Sequence, residues 1–259
     1  MATTELVQPK EITLRNVSVA KVGDRQTHLL PQLATIYYQT WQTENLCGSL
    51  TEATNKLTTF DPENAYVVID GTSETVYALI QTLPIQVPGL ESVPDCFPTY
   101  ASVETACAGH YRTLKPNFVL CFSVNALPNY RVVRPDGVTV SLARFLLKSL
   151  PVPNAANKLA YSRFSHLDAT PLEHYLMHLD NPQALGAVGM HEHFGGITAA
   201  IINHSRPEDQ AGGGANVLIL YPKNEAEKTA FAKTKAMRLL HRPFLQSNDQ
   251  RILFKDVTL

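Results

Sequence analysis

The chain has 259 residues, 44% of them hydrophobic, and a formal net charge of −1. That length and apolar content suffice for a sizeable core, in one large domain or two small ones. A near-zero charge excludes recruitment of nucleic acid or of an anionic membrane surface by a global field. Cys47, Cys96, Cys107 and Cys121 show no C-x-x-C spacing, which favours reduced thiols over disulfides or a zinc site. No run reaches the roughly 18 apolar residues of a membrane span, and residues 1–15 lack a basic-then-apolar leader, so a cytoplasmic location is expected.

Residues 11–19 alternate as a first strand, and residues 29–41 carry apolar side chains at helical spacing. A second helix is expected over 50–60. Residues 65–70 and 75–81 flank an Asp70-Gly71 turn and read as a hairpin. Pro84, Pro88, Pro94 and Pro98 then interrupt ladder pairing, so 83–98 reads as a long ordered loop. Residues 100–114 return to a helical pattern. A strand over 118–124 leads to a helix over 140–150, a strand over 158–163, and a helix ending in His191-Glu-His-Phe-Gly-Gly196. Two strands, 197–203 and 216–221, follow. Residues 224–241 read as a terminal helix and 251–255 as a short strand.

Between the strand at 118–124 and the helix at 140–150 lies Arg134-Pro-Asp-Gly-Val-Thr139. Read as strand, loop and helix, this segment directs unpaired backbone N–H groups and the positive end of a helix dipole at one point, which suits a phosphate. Neither G-x-x-x-x-G-K-[ST] nor G-x-G-x-x-G is present, so neither the nucleoside triphosphate cradle nor the dinucleotide fingerprint applies. The run R-x-x-G-x-T resembles the Q/R-x-x-G-x-G/A pyrophosphate loop of the GNAT N-acetyltransferase superfamily. The strand, helix and two closing strands that follow are similar to the second half of such a domain. The resemblance covers the element order from 11 to 221. Three positions depart from the pattern: Thr139 replaces the second small residue, Asp136 adds a negative charge, and His191 stands where a Tyr is usual.

The resemblance implies an α/β (α+β) fold, with a mixed, mainly antiparallel central sheet flanked by helices and a parallel strand pair at the cofactor site. It implies one domain over 1–259, with a Pro-rich insertion at 83–98 and an extension at 222–259. The implied activity is transfer of an acetyl group from acetyl-CoA to a primary amine by direct attack. Phe122, Ser123 and Val124 would line the pantetheine arm, and Gly137, Val138, Thr139, Val140 and Ser141 the diphosphate. Arg131 and Arg134 both remain candidates for the basic residue of the motif. His191 is the candidate general acid, with Tyr161 and Tyr175 as substitutes; Glu104 and Glu192 are candidate bases. Tyr38 and Trp41 would border the acceptor, as would Arg206, Glu208 and Asp209 in the connection between the last two core strands. The expected partner is a small-molecule or terminal amine, without metal, nucleic acid or membrane, and self-association as a homodimer stays open. The alternative is a GNAT-fold module that binds CoA without catalysis, as a sensor or interaction module.

Each of these residues also has a purely structural reading. Gly137 suits any tight turn, and His191 suits a helix residue bonded to a nearby carbonyl. His191 and His193 are two apart and do not share a helix face; His174 and His178 do, but lack a third ligand of matching spacing. Thr170-Pro-Leu-Glu173 reads as a capping box with Pro at the first helical position. Tyr37, Tyr38 and Trp41 suit a core cluster as well as a ligand platform. Residues 206–215 end in Gly212-Gly-Gly-Ala215 and read as a turn, held either by substrate or by an internal Arg206–Asp209 pair. No G-x-S-x-G nucleophile elbow is present.

Overall fold

Alternation at the start of the chain is broken by a 3-10 turn at Leu14–Asn16, so the strand expected over 11–19 is two, β1 (Lys10–Thr13) and β2 (Val17–Lys21). The break lets one stretch of chain serve two sheets. This computed structural model describes residues 9–109, 111, 113–230, 245–246 and 251–253. The chain divides into two compact units, residues 1–81 with 123–151 and residues 82–122 with 152–259.

In the first unit, α1 (Gln26–Trp41) buries Leu29, Leu33, Ala34, Ile36 and Tyr37 on one face. It packs against α2 (Leu50–Thr58), which starts where the Ser49 hydroxyl accepts the Glu52 N–H and buries Ala53 and Leu57. Two antiparallel strands follow, β3 (Ala65–Asp70) and β4 (Val76–Ile85), and β3 also pairs antiparallel with β2. Strand β4 runs past Pro84, where a loop was expected. One proline removes one donor, and the buried apolar run around it keeps the strand. In the second unit, the segment expected to be all loop also holds α3 (Val93–Cys96). The next helix, α4 (Tyr100–Ala108), stops at Gly109, short of residue 114, and begins with a Thr99/Ser102 capping box.

Strand β5 (Phe118–Ala126) is followed by a hairpin absent from the sequence-based expectation, β6 (Tyr130–Val133) and β7 (Thr139–Ser141). β6 pairs parallel with β1, so β1, β6 and β7 form a separate three-stranded sheet. Helix α5 (Leu142–Ser149) starts two residues later than expected, capped by the Ser141 hydroxyl. It buries Leu142, Leu146 and Leu147, each contributing roughly 1.5–3 kcal/mol by leaving water.

The second unit continues with β8 (Asn157–Ser162), α6 (Pro171–Met177), α7 (Ala187–His193), β9 (Ile197–Ile202), β10 (Asn216–Tyr221), β11 (Leu245–Gln246) and β12 (Arg251–Leu253). β5 and β8 are parallel neighbours, in register from Phe118↔Asn157 to Cys121↔Ala160. Antiparallel ladders then join β8 to β10, β10 to β9, β9 to β12 and β12 to β11. The sheet is thus mixed and mainly antiparallel, with one parallel pair and flanking helices, as expected. β9 and β10 are almost wholly buried, which explains their continuous apolar runs. Helix α6 begins with the expected Thr170/Glu173 capping box and Pro171 in its first turn. A terminal helix is present over 225–230; the remainder of the expected helix to 241, and residues 254–255 of the expected last strand, lie outside the described residues. Among the described residues, no helix is long and apolar enough to cross a membrane.

Candidate active site

In the second unit, helix α7 lies close to the 3-10 turn at Pro182–Leu185 because Gly189 has no side chain. A Cβ built there would stand 1.5 Å from the Pro182 carbonyl oxygen. The same helix buries His191 and brings its Nδ1 to 2.5 Å from the hydroxyl of Tyr221, the last residue of β10. Burial pushes the His191 imidazole down to about 4, so the ring is neutral near pH 7. Burial, followed by the nearby Cys121 thiol, pushes the Tyr221 hydroxyl up, so it keeps its proton. The tautomer that satisfies both groups has Tyr221 donating to Nδ1, with the imidazole proton on Nε2. The Cys121 thiol is itself raised to about 12 by burial and is no nucleophile at neutral pH.

The other candidate acid and base residues have their own partners. Tyr161 is buried and donates to the Phe97 carbonyl at 2.7 Å; burial pushes its hydroxyl up. Tyr175 donates to Glu192 Oε1 at 2.9 Å, and Thr198 donates to the same oxygen at 2.9 Å. Glu104 is half-buried on α4. His193, two residues beyond His191, is exposed.

Residues 203–215 form an ordered connection. Asp209, expected at an acceptor pocket, is buried in a two-pronged ion pair with Arg163. Nη2 donates to Oδ1 at 2.6 Å, Nε donates to Oδ2, and the Gly212 N–H donates to Oδ1 at 3.0 Å. The internal Arg206–Asp209 side-chain pair considered from the sequence is therefore replaced by Arg163–Asp209. The guanidinium carbon of the buried Arg206 stands 4.0 Å from the centre of the Tyr100 ring. Its Nε is 3.4 Å from Glu208 Oε1, an ion pair whose carboxylate is exposed.

In the first unit, Ser123 and Asn125 are buried on β5, where Asn125 Nδ2 donates to Ser123 Oγ at 2.8 Å. Asn125 Oδ1 is buried and, among the described residues, has no hydrogen-bond partner. Val124 is half-buried between them. Phe122, assigned with the second unit, packs its ring edge-on to Tyr100 with centroids 6.0 Å apart.

Arg134-Pro-Asp-Gly137 is the turn of the β6–β7 hairpin rather than the lead into a helix. Gly137, at φ +78°, donates its N–H to the Arg134 carbonyl at 2.9 Å. Val138 donates its N–H to Asp136 Oδ1 at 3.1 Å, and Arg134 forms an ion pair with Asp136 at 2.8 Å. Asp136 therefore caps its own turn. Thr139 is exposed and pairs with Val133. Arg131 donates to the Pro128 and Tyr130 carbonyls, both at 2.8 Å. Val140 and Ser141 close β7 at the start of α5, where Ser141 Oγ accepts the Arg144 N–H at 3.3 Å.

Tyr38 and Trp41 are half-buried on α1, and Trp41 packs at 6.4 Å from the buried Tyr37 ring. A cavity of about 370 Å³ lies at the end of that helix, lined by Gln39, Gln42, Thr43 and residues 127–130, without Tyr38 or Trp41.

Sequence reasoning passed over Tyr221 and Arg163. A charged residue directly after the apolar strand β8 was a usable signal for Arg163. Tyr221 carried none beyond its place at the end of an apolar run.

No protein-family model matches the sequence, and neither does any curated protein. Solved structures similar to this chain include the loading GNATL domain of CurA from Lyngbya majuscula. It is 17% identical, with a TM-score of 0.52, covering 79% of this chain and 96% of that one. A second is the GphF GNAT-like decarboxylase in complex with isobutyryl-CoA, 18% identical, with a TM-score of 0.55, covering 79% of this chain and 97% of that one. At these identities the likeness is one of fold.

Proposed function

We propose, from the GNAT fold that this chain has, that it is an acyltransferase moving an acetyl group from acetyl-CoA to a primary amine by direct attack. The observation that carries this reading is the His191–Tyr221 pair, a neutral imidazole bonded to a phenol that keeps its proton.

The amine enters neutral and attacks the thioester carbonyl, forming the C–N bond and becoming a cation. As the C–S bond breaks, the Tyr221 O–H turns from His191 Nδ1 to the departing sulfur, gives it that proton and recovers one from the amine cation, which restores the bond to His191. A phenol held protonated across the physiological range suits this relay. A neutral His191 is a poor proton source, so its role moves from general acid to positioning residue, holding the phenol through Nδ1. Glu192, held by Tyr175 and Thr198, is the better-placed of the two candidate bases because its carboxylate is oriented by two donors. Tyr161 and Tyr175, with hydroxyls committed to Phe97 and Glu192, serve the structure in this reading.

For the cofactor, Phe122, Ser123 and Val124 supply backbone groups to the pantetheine amides. We assign the diphosphate to Val140 and Ser141 at the start of α5, where helix N–H groups are oriented. Gly137, Val138 and Thr139 then support the hairpin, as do Arg131 and Arg134. For the acceptor, Arg206 with Glu208 in the second unit are one set of candidate contacts; Tyr38 and Trp41 in the first unit are a separate set, with no single site drawn from both. Asp209 is neutralised by Arg163 and is left out.

A second reading is favoured by one observation: two similar structures with TM-scores above 0.5 are a loading domain and a GNAT-like decarboxylase. An acyl-CoA with a carboxylate on the carbon beside the thioester carbonyl can lose CO₂, leaving its electron pair on that carbon. The same phenol would protonate it.

The test incubates the purified chain with acetyl-CoA and an amine panel, following free thiol, and separately with a carboxylated acyl-CoA such as malonyl-CoA, following CO₂. Amine-dependent thiol release supports the first reading, and CO₂ release without amine supports the second. Thermal stabilisation by acyl-CoA with neither product identifies a non-catalytic binding module. No stabilisation by any CoA species overturns all three.

A further inference from the structure

His174 and His178 stand one helical turn apart at the end of α6, and the third group that the sequence did not pair with them comes from the preceding loop. The Asp168 carboxylate lies between the two imidazoles, Oδ1 2.6 Å from His174 Nδ1 and Oδ2 3.1 Å from His178 Nε2. The two rings are 4.8 Å apart. One ligand atom from each of the three residues lies within 4.8 Å of the others.

A loop needs only one imidazole to hold a carboxylate, and an exposed ion pair of that kind contributes little. Here two ring nitrogens converge on one carboxylate. His174 is buried, and among the described residues its second nitrogen, Nε2, has no hydrogen-bond partner, so none of them holds the ring in place on its far side. Solvent access comes through Asp168 and His178, whose side chains are 57% and 25% exposed.

We infer that Asp168, His174 and His178 bind a divalent first-row transition metal ion, zinc fitting best, with the fourth position left to water. Imidazole nitrogen with one carboxylate oxygen is a donor set for zinc, cobalt or nickel; calcium and magnesium prefer oxygen alone. Metal bonds of about 2.0–2.2 Å in a tetrahedron set neighbouring ligand atoms roughly 3.3 Å apart. The observed N···O separations of 2.6 and 3.1 Å reach that spacing by a small swing of the exposed Asp168 side chain. The ion would replace the protons shared between the carboxylate and the two rings, and would tie the loop after β8 to α6.

The test uses the full chain stripped with a chelator and titrated calorimetrically with zinc chloride, with cobalt(II) as a spectroscopic substitute. The expected result is one zinc per chain, a higher Tm, and visible cobalt bands. His178→Ala and Asp168→Asn, both at exposed or partly exposed side chains, should each weaken zinc by at least about tenfold and remove the bands while keeping wild-type circular dichroism. His28→Ala, an exposed histidine elsewhere, should bind as wild type. Absence of stoichiometric zinc binding by the wild-type chain overturns the inference. So does unchanged affinity in the His178 and Asp168 variants.

Discussion

His191 Nδ1 and the Tyr221 hydroxyl oxygen are 2.5 Å apart, although 30 residues separate them in the chain. Burial moves the two groups in opposite directions, the imidazole towards neutrality at lower pH and the phenol towards holding its proton at higher pH. Each change favours the same hydrogen bond, Tyr221 donating and His191 accepting.

If Tyr221 relays the proton to the departing sulfur, Tyr221→Phe removes that step and leaves the ring in place. The expected loss in kcat for thiol release is about 10²-fold, the lower end for general acid–base catalysis. Acetyl-CoA affinity by calorimetry should change less than about threefold. Unchanged kcat would show that the phenol is structural.

The same pair predicts a pH dependence of stability. The folded His191 titrates near 4 and an unfolded one near 6.5, so the unfolded chain binds more protons between those values and stability rises with pH there. The contribution, on the order of 3 kcal/mol, is complete above about pH 6.5 and is lost as pH falls towards 4. Urea unfolding at pH 7.5 and pH 5 should therefore show a steeper loss for wild type than for His191→Phe. Parallel losses in the two proteins would contradict the assignment.

The Arg163–Asp209 pair is buried on both sides. Asp209→Ala leaves an uncompensated guanidinium and should cost about 3–5 kcal/mol in urea unfolding. Replacing both residues by apolar ones, Arg163→Met with Asp209→Leu, should cost less than the single change. A double variant less stable than Asp209→Ala would mean that the loop needs the charges for more than their mutual neutralisation.

Gly137 and Ser141 test the cofactor loop. A Cβ on Gly137 meets nothing within 4 Å, so Gly137→Val is opposed by its φ of +78° alone, at about 1–2 kcal/mol. Its N–H is already bonded to Arg134, so acetyl-CoA affinity in the folded variant should hold. Ser141→Val removes the α5 cap at about 1 kcal/mol and should weaken acetyl-CoA at least about fivefold. The reverse pattern would return the diphosphate to the hairpin turn.

The sequence by itself determined what depends on local period and capping. Helices α1 and α2 follow from apolar spacing, the β3–β4 hairpin from alternation around Asp70-Gly71, and the start of α6 from the Thr170/Glu173 box. The element order from which the fold was expected came from the same local signals. Where local reading failed, a weak local signal competed with a stronger non-local one. β1 and β2 are separated because their partners lie in different sheets, and β4 passes Pro84 because its apolar neighbours stay buried. Arg134-Pro-Asp-Gly137 is a turn signal between two Val-containing runs, and the likeness to a phosphate loop led away from that simpler reading. Only the tertiary structure decided which polar groups meet. Tyr221 reaches His191, Asp209 reaches Arg163 and Asp168 completes His174 and His178, across 30, 46 and 6 residues of chain. Hydrophobic periodicity encodes which face of an element leaves water. It does not encode which side chains come together, because that follows from strand register, helix placement and loop path once the elements have packed.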